Sequence, residues 1–138
     1  LPVYNIEEAK TVLPKGTQII YLGWLFASNI KDYKKANKRY KVSCVCGVGL
    51  GDTGAQTDSV RKAAKVPNNI PLFTLQGGMY FDKLHGINKF MIKMLVKMLE
   101  SKDRTDDENK MLELIKKGGN YVDEKHLASV IKWYEENK

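Results

Sequence analysis

Glycines and aromatic side chains follow three predicted strands of this chain, and their spacing could support ligand chemistry. Gly47, Gly49 and Gly51 stand two residues apart. Because glycine has no Cβ, their backbone N–H groups can closely approach a planar or anionic ligand. Trp24 comes just past the preceding strand. Its indole could stack on a flat ring or seal a core, and the sequence leaves both interpretations open.

The strands that carry these residues alternate with helical segments, which is typical of a parallel sheet. The pattern predicts strands over residues 18–23, 41–47 and 71–76. Ligands of open α/β sheets bind beyond the carboxyl ends of the strands. We therefore expect the candidate site in the three loops that follow, over residues 24–29, 48–54 and 77–78.

Few polar side chains in these loops could act as catalysts. Asp52 could hydrogen-bond a ligand, although capping the next helix is the favoured interpretation. His126 lies in the last predicted helix without a Cys, His or carboxylate at metal-ligand spacing. The sequence has no P-loop, no dinucleotide fingerprint and no serine elbow. If a reaction occurs at this site, we expect a bound cofactor to carry it.

Composition and charge limit the classes of function. The chain has 138 residues, of which 43% are hydrophobic, enough for one domain with a core. The net charge is +7, with the densest basic run between Lys31 and Lys41. A solvated helix face is favoured there over a nucleic-acid site, and an acidic protein partner stays open. No run approaches the roughly 18 apolar residues of a membrane span.

Two cysteines and the first residue bear on the cellular context. Cys44 and Cys46 are two apart on a predicted strand, where a bridge between them would be strained. We expect reduced core thiols in a cytoplasmic protein. The chain begins with Leu1 rather than Met, so we expect a truncated or processed N-terminus.

The second half of the chain is predicted to be helical. One face of a predicted helix is apolar, and we favour an adaptable core face over a cofactor groove; its residues are Ile87, Phe90, Met91, Met94, Leu95 and Met98. Thr105 and Glu108 form a capping-box pattern for the next helix. We predict a single domain, with an α/β sheet part over residues 1–100 and a helical extension over residues 101–138.

These segments together resemble a known family. The run from Gly23 to Asn29, the glycine segment from Gly47 to Gly51 and the stretch from Thr74 to Gly78 are similar to the last three strand–loop units of the flavodoxin-domain family. The segment from Phe90 to Met98 resembles the helix after the last strand of the flavodoxin-type protoporphyrinogen dehydrogenases. The resemblance covers roughly residues 3 to 100.

The resemblance implies a flavodoxin-like, doubly wound parallel sheet of order 2-1-3-4-5, with extra C-terminal helices, that binds FMN. It implies an electron-transfer protein or oxidoreductase, and a redox partner protein. The loops after the family's third and fourth strands would flank the isoalloxazine ring, and the loop after the fifth would form a third side of the site. Carried onto this chain, the cofactor-binding residues would be Trp24, Leu25, Phe26, Ala27, Ser28, Asn29, Val48, Gly49, Leu50, Gly51, Asp52, Gly77 and Gly78.

One part of the family pattern has no counterpart in the sequence. The first strand and its Ser/Thr-rich phosphate loop, which bind the FMN phosphate, are missing from the printed residues. We therefore expect weak FMN binding and a bare edge on the first predicted strand. The alternative is a non-enzymatic interaction module, completed by strand exchange with a partner subunit or forming a homo-oligomer through that edge.

Overall fold

A computed structural model describes residues 1–26, 28–79, 86–101, 103–117 and 119–138. The chain divides into two compact units. The first holds residues 1–48 and 54–75, and the second holds residues 49–53 and 76–138. The prediction of a single domain stays a prediction.

The first helix begins at a capping box that the sequence pattern did not bring out. Helix α1 spans Ile6–Val12, and the side chain of Asn5 accepts hydrogen bonds from the backbone N–H groups of Glu7 and Glu8. The Glu8 carboxylate accepts from the Asn5 backbone N–H in return. These reciprocal hydrogen bonds satisfy backbone N–H groups that have no partner within the helix at its start, and they thereby stabilise this short helix.

A four-stranded mixed sheet forms the centre of the fold. Its strands are β1 (Gln18–Phe26), β2 (Asn29–Ile30), β3 (Lys41–Gly49) and β4 (Leu72–Gln76), in the order β2-β1-β3-β4. Strands β1 and β3 run parallel and pair from Gln18 opposite Lys41 to Trp24 opposite Val48, with one shift of register between Ile19 and Ile20. Strand β2 folds back antiparallel onto the end of β1. The predicted α/β class is therefore confirmed, and the sheet is mixed because of β2.

Two helices of the first unit share one hydrophobic core against this sheet. They are α2 (Tyr33–Arg39) and α3 (Thr57–Ala64). Tyr33 of α2 and Val60 of α3 join Val42 and Val45 of β3 in the same buried cluster. Val45 and Val60 are fully buried. Burial of this apolar surface is the main force that fixes the helices on the strands.

The second unit is mainly helical. It contains α4 (Gly86–Glu100), α5 (Asp106–Lys117), a short 3₁₀ turn (Glu124–Leu127) and α6 (Ala128–Asn137). Strand β5 (Gly78–Met79) pairs antiparallel with β6 (Gly119–Asn120). The backbone N–H of Glu108 donates to the hydroxyl of Thr105, and that hydroxyl donates to the Glu108 carboxylate. The predicted helix start and the N-cap role of Thr105 are thus confirmed.

The exposed side of α4 differs from the prediction. Phe90, Met94 and Met98 are 62%, 56% and 55% exposed, whereas Ile92 and Leu99 are buried. The prediction of a core face was wrong for Phe90, Met91, Met94 and Met98, whereas Leu95 is half-buried and the side chain of Ile87 lies outside the described residues. The apolar residues of α4 span more of its circumference than its neighbours cover, so the pattern alone could not locate the buried side. Among the described residues, no helix combines the length and apolarity that crossing a membrane requires.

Candidate functional site

Trp24 lies near the carboxyl end of β1 with part of its indole open to solvent. Its exposed fraction is 37%. The ring of Phe26 meets it edge-on, with 6.2 Å between the centroids and 79° between the planes. The ammonium of Lys31 lies 5.4 Å from the indole centroid. These two contacts hold the orientation of the indole, and a ring held in this way can stack on a flat ligand.

Trp24, Leu25 and Phe26 belong to strand β1, so their prediction as loop residues was wrong. Aromatic and branched side chains fit a pleated strand well, and β2 gives the end of β1 a pairing partner. Leu25 opposes Ile30, and Phe26 opposes Asn29. Alternation along the strand sends Leu25 to the opposite face from Trp24, where it packs against the hydrophobic core.

Of the remaining residues of the first predicted loop, Ser28 precedes β2 and Asn29 is the first residue of that strand, so the prediction of Asn29 as a loop residue was wrong. Ser28 adopts a left-handed conformation with φ of 65°, and the side chain of Asn29 accepts a hydrogen bond from the Ile30 backbone N–H at 3.1 Å. The backbone N–H of Lys31 donates to the Trp24 carbonyl at 3.0 Å. Ala27 lies outside the described residues. The hairpin thus fixes the backbone next to the indole.

Val48 and Gly49 were predicted as loop residues and instead end strand β3. Val48 lies opposite Trp24 in the parallel pair. One position before Val48, a Cβ on Gly47 would come within 2.8 Å of Leu25 Cδ2. The pairing across the sheet therefore continues past residues with weak strand preference, and Gly47 makes room for the core side chain of Leu25.

In the second unit, hydrogen bonds join the glycine segment to the last residue of β4 and to the residue after it. The backbone N–H of Gly77 donates to the Gly49 carbonyl at 2.7 Å, and the Gln76 side chain donates to the Leu50 carbonyl at 3.2 Å. The carbonyl of Gly77 accepts from the Tyr121 backbone N–H at 3.2 Å. Both backbone groups of Gly77 are therefore engaged within the protein. Gly78 pairs with Asn120 in the β5–β6 ladder.

Asp52 has a partner that no local sequence signal indicates. Its carboxylate accepts a hydrogen bond from Lys110 Nζ at 2.7 Å, and both side chains are exposed. Helix α3 begins at Thr57, with Gln56 in the capping position and no side-chain cap. The favoured interpretation of Asp52 as a cap was therefore wrong. Gly51, the next residue toward β3, is half-buried.

Thr53 and His126 form a pair that no sequence spacing could reveal, because 73 positions separate them. The Thr53 Oγ1 atom lies 2.7 Å from His126 Nδ1 and 3.0 Å from the Gln76 backbone nitrogen. Since the Gln76 N–H can only donate, Thr53 accepts that bond, and the same hydroxyl also pairs with the imidazole of His126. The arrangement makes Thr53 a polar, positioned hydroxyl beside the glycine segment.

Cys44 and Cys46 are free and fully buried, which confirms the prediction of reduced core thiols. A hydrogen bond with Cys44, together with burial, raises the pKa of the Cys46 thiol far above its ordinary value. A protonated thiol is a poor nucleophile and metal ligand, so Cys46 fits packing rather than reactivity.

No family model, no curated protein and no solved structure matches this chain. The predicted ring-binding residues are distributed over both units. Trp24 to Val48 belong to the first unit, and Gly49 to Asp52, Gly77 and Gly78 belong to the second.

The residues present fit the ring of FMN better than its phosphate. Trp24 offers a partly exposed flat surface that Phe26 and Lys31 hold in position. A phosphate needs several convergent N–H donors, ordinarily at the start of a helix after a strand. The described residues before β1 instead form α1, which is capped by its own Asn5. The described residues before β1 therefore form no phosphate loop, and the flat surface that the structure shows is that of Trp24.

Proposed function

We propose that this chain is a flavodoxin-like protein that binds the isoalloxazine ring of FMN and serves as an electron carrier or an oxidoreductase. The observation that carries the proposal is the position of Trp24. Its partly exposed indole stands near the carboxyl end of β1, in register with Val48 of the neighbouring parallel strand. In open α/β sheets, ligands bind beyond that end of the strands.

The residues around Trp24 have definable roles in this proposal. We expect the indole to stack on the flavin ring, and the edge-on Phe26 to stop it from turning away. Lys31 would place a positive charge near the flavin ring, and this charge would strengthen the binding of a flavin with higher electron density. The flavin itself would supply the electron chemistry, passing one or two electrons to a redox partner protein.

The affinity for FMN should be low because the described residues before β1 offer no set of convergent N–H donors to the phosphate. Charge-assisted hydrogen bonds contribute about 1.5–3 kcal/mol each, so the loss of several weakens binding by orders of magnitude. Contacts to the ring alone should not distinguish FMN from riboflavin. We expect the two ligands to bind the 138-residue chain with affinities within about threefold of each other.

A flavin fluorescence titration tests the proposal. FMN is titrated into the 138-residue chain and into the product of the longer reading frame, if one extends upstream. Weak quenching by the first and strong quenching by the second would support the proposal. Trp24→Ala should abolish the quenching, and Trp24→Phe should retain part of it. Leu22→Ala is the matched control and should leave the quenching unchanged, because Leu22 is an exposed residue on the same face of β1. Absence of quenching by the longer protein would contradict the proposal.

A second candidate function is an interaction module that exchanges a strand with a partner. It is favoured by the outer edge of β1. Within the described residues, that edge pairs with β2 only at Leu25 and Phe26. Light scattering on the purified chain separates the candidates, since strand exchange requires a stable oligomer and a strict monomer contradicts it.

A further inference from the structure

Helix α4 presents an apolar stripe to solvent beside a concave surface. Phe90, Met94 and Met98 follow one another at four-residue spacing, and each is more than half exposed. The distance along the helix axis from the first to the last is about 12 Å. Exposed apolar residues that form a row in this way are typical of a binding surface, whereas scattered ones are not.

The stripe borders a cavity of about 530 Å³ in the second unit, lined by residues of α4 and α5. Its apolar lining includes Phe90 and Met94 of α4 and the buried Ile115 of α5. A cavity of this size can accept one or two large apolar side chains from a partner. Methionine adapts its shape to such side chains because it is unbranched and polarizable.

The rim of this cavity is positively charged. Lys93 and Lys97 line it and make no ion pair within the described residues. The third rim lysine, Lys116, is paired with Glu100 at 2.6 Å, and this hydrogen bond holds the pKa of the Glu100 carboxyl below its ordinary value. The uncompensated charge on the rim is therefore that of Lys93 and Lys97, which calls for negative charge on whatever binds.

We propose that the α4–α5 surface, defined by Phe90, Met94, Met98, Lys93 and Lys97, docks an acidic amphipathic helix of another protein. Apolar residues of that helix at i, i+4 and i+7 would enter the cavity and cover the stripe, and its flanking carboxylates would meet the two lysines. A second copy of this chain fits less well, because each copy carries a net charge of +7. The concave shape favours an inserted helix over a flat lipid surface.

A display library tests the proposal even though the partner protein is unidentified. It consists of helices of about 14 residues, with fixed apolar positions and flanking positions free to be Glu, Gln or Lys. We expect selection on the 138-residue chain to enrich acidic helices, and an enriched peptide to bind about tenfold more weakly at high salt than at low salt. Failure to enrich any sequence, or enrichment of basic helices, would overturn the proposal.

Variants locate the surface. We expect Met94→Asp, and separately Lys93→Glu combined with Lys97→Glu, to weaken binding of the enriched peptide by about tenfold or more. The matched control is Lys34→Glu combined with Lys38→Glu, which reverses two exposed charges at the same spacing on α2 and should change binding less than about twofold. Circular dichroism confirms that each variant is folded. Equal loss in the control would overturn the assignment of the surface.

Two further measurements test whether a lipid surface or a second copy of this chain binds the α4–α5 surface instead. Vesicles of phosphatidylglycerol test a lipid surface, and light scattering tests a second copy of the chain. Binding to the vesicles that Met94→Asp abolishes, or a dimer that the same substitution dissociates, would overturn the proposal. Absence of both effects, with peptide binding intact, supports it. The outcome is independent of flavin binding, which is tested at Trp24.

Discussion

Trp24 lies directly opposite Val48 near the ends of two parallel strands, and its indole contacts both the ring of Phe26 and the ammonium of Lys31. The position of Trp24 in the sheet is the basis of the proposed function. The backbone pairing fixes the position of the indole, and the contacts with Phe26 and Lys31 fix its orientation. The exposed part of the ring is then available to a ligand.

Gly47 is predicted to be required by the packing of Leu25. A methyl group at position 47 would lie 2.8 Å from Leu25 Cδ2. Gly47→Ala should therefore lower the free energy of unfolding by about 1–3 kcal/mol, because overpacking outweighs the entropic gain of about 0.4–1 kcal/mol from replacing glycine. Urea denaturation measures the change. In a Leu25→Ala background the same substitution should cost less than about 0.5 kcal/mol, and an unchanged cost there would refute the packing argument.

Thr53 is predicted to stabilise the second unit through its hydroxyl. Thr53→Val removes the acceptor of the Gln76 N–H and the partner of His126. The free energy of unfolding should fall by about 1–2 kcal/mol, since each lost bond contributes about 0.5–1.5 kcal/mol. Thr53→Ser keeps the hydroxyl and should lower the stability much less. The imidazole resonances of His126 should shift in the valine variant only, and identical spectra for both variants would count against the contact.

Tyr21 is predicted to make the stability of the first unit sensitive to alkaline pH. Burial, with the nearby Asp32 carboxylate, raises the pKa of Tyr21 to about 12, and its hydroxyl donates to the Lys31 carbonyl. Because the folded state favours the neutral phenol, this stabilisation is complete below about pH 10 and is lost as the pH rises toward 12. The contribution is reduced by solvent, since the side chain is only partly buried.

Absorbance and denaturation check this effect against Tyr21→Phe. The phenolate absorbance of the wild-type chain should contain one late-titrating component that the variant lacks. The stability difference between the two proteins should shrink between about pH 10 and pH 12, by the linkage above. A constant difference over that interval would show that Tyr21 does not titrate as proposed.

Much of the fold could be predicted because local and periodic signals agreed. The α/β class and the helix start at Thr105 follow from alternating segments and from a short motif with a clear hydrogen-bonding purpose. Strand ends were harder to predict. Val48 and Gly49 remain in β3 although glycine disfavours strands, because bonds to neighbouring strands decide where a ladder ends.

The parts that could not be predicted depend on long-range contacts. Strand β2 has only two residues, too few to show any period. The contact of Thr53 with His126, and that of Asp52 with Lys110, join residues more than fifty positions apart. The buried side of α4 depends on which neighbours pack against it, and its wide apolar arc did not reveal that choice.

The most direct test of the flavin proposal follows the indole N–H resonance of Trp24 in a nitrogen–proton correlation spectrum while riboflavin is added. Only two tryptophans contribute such signals, and the Trp24→Phe variant identifies which one is Trp24. Ring stacking predicts a saturable shift of this resonance, of similar size with riboflavin and with FMN. A Trp24 signal that does not move at saturating concentrations of either flavin would contradict the proposal.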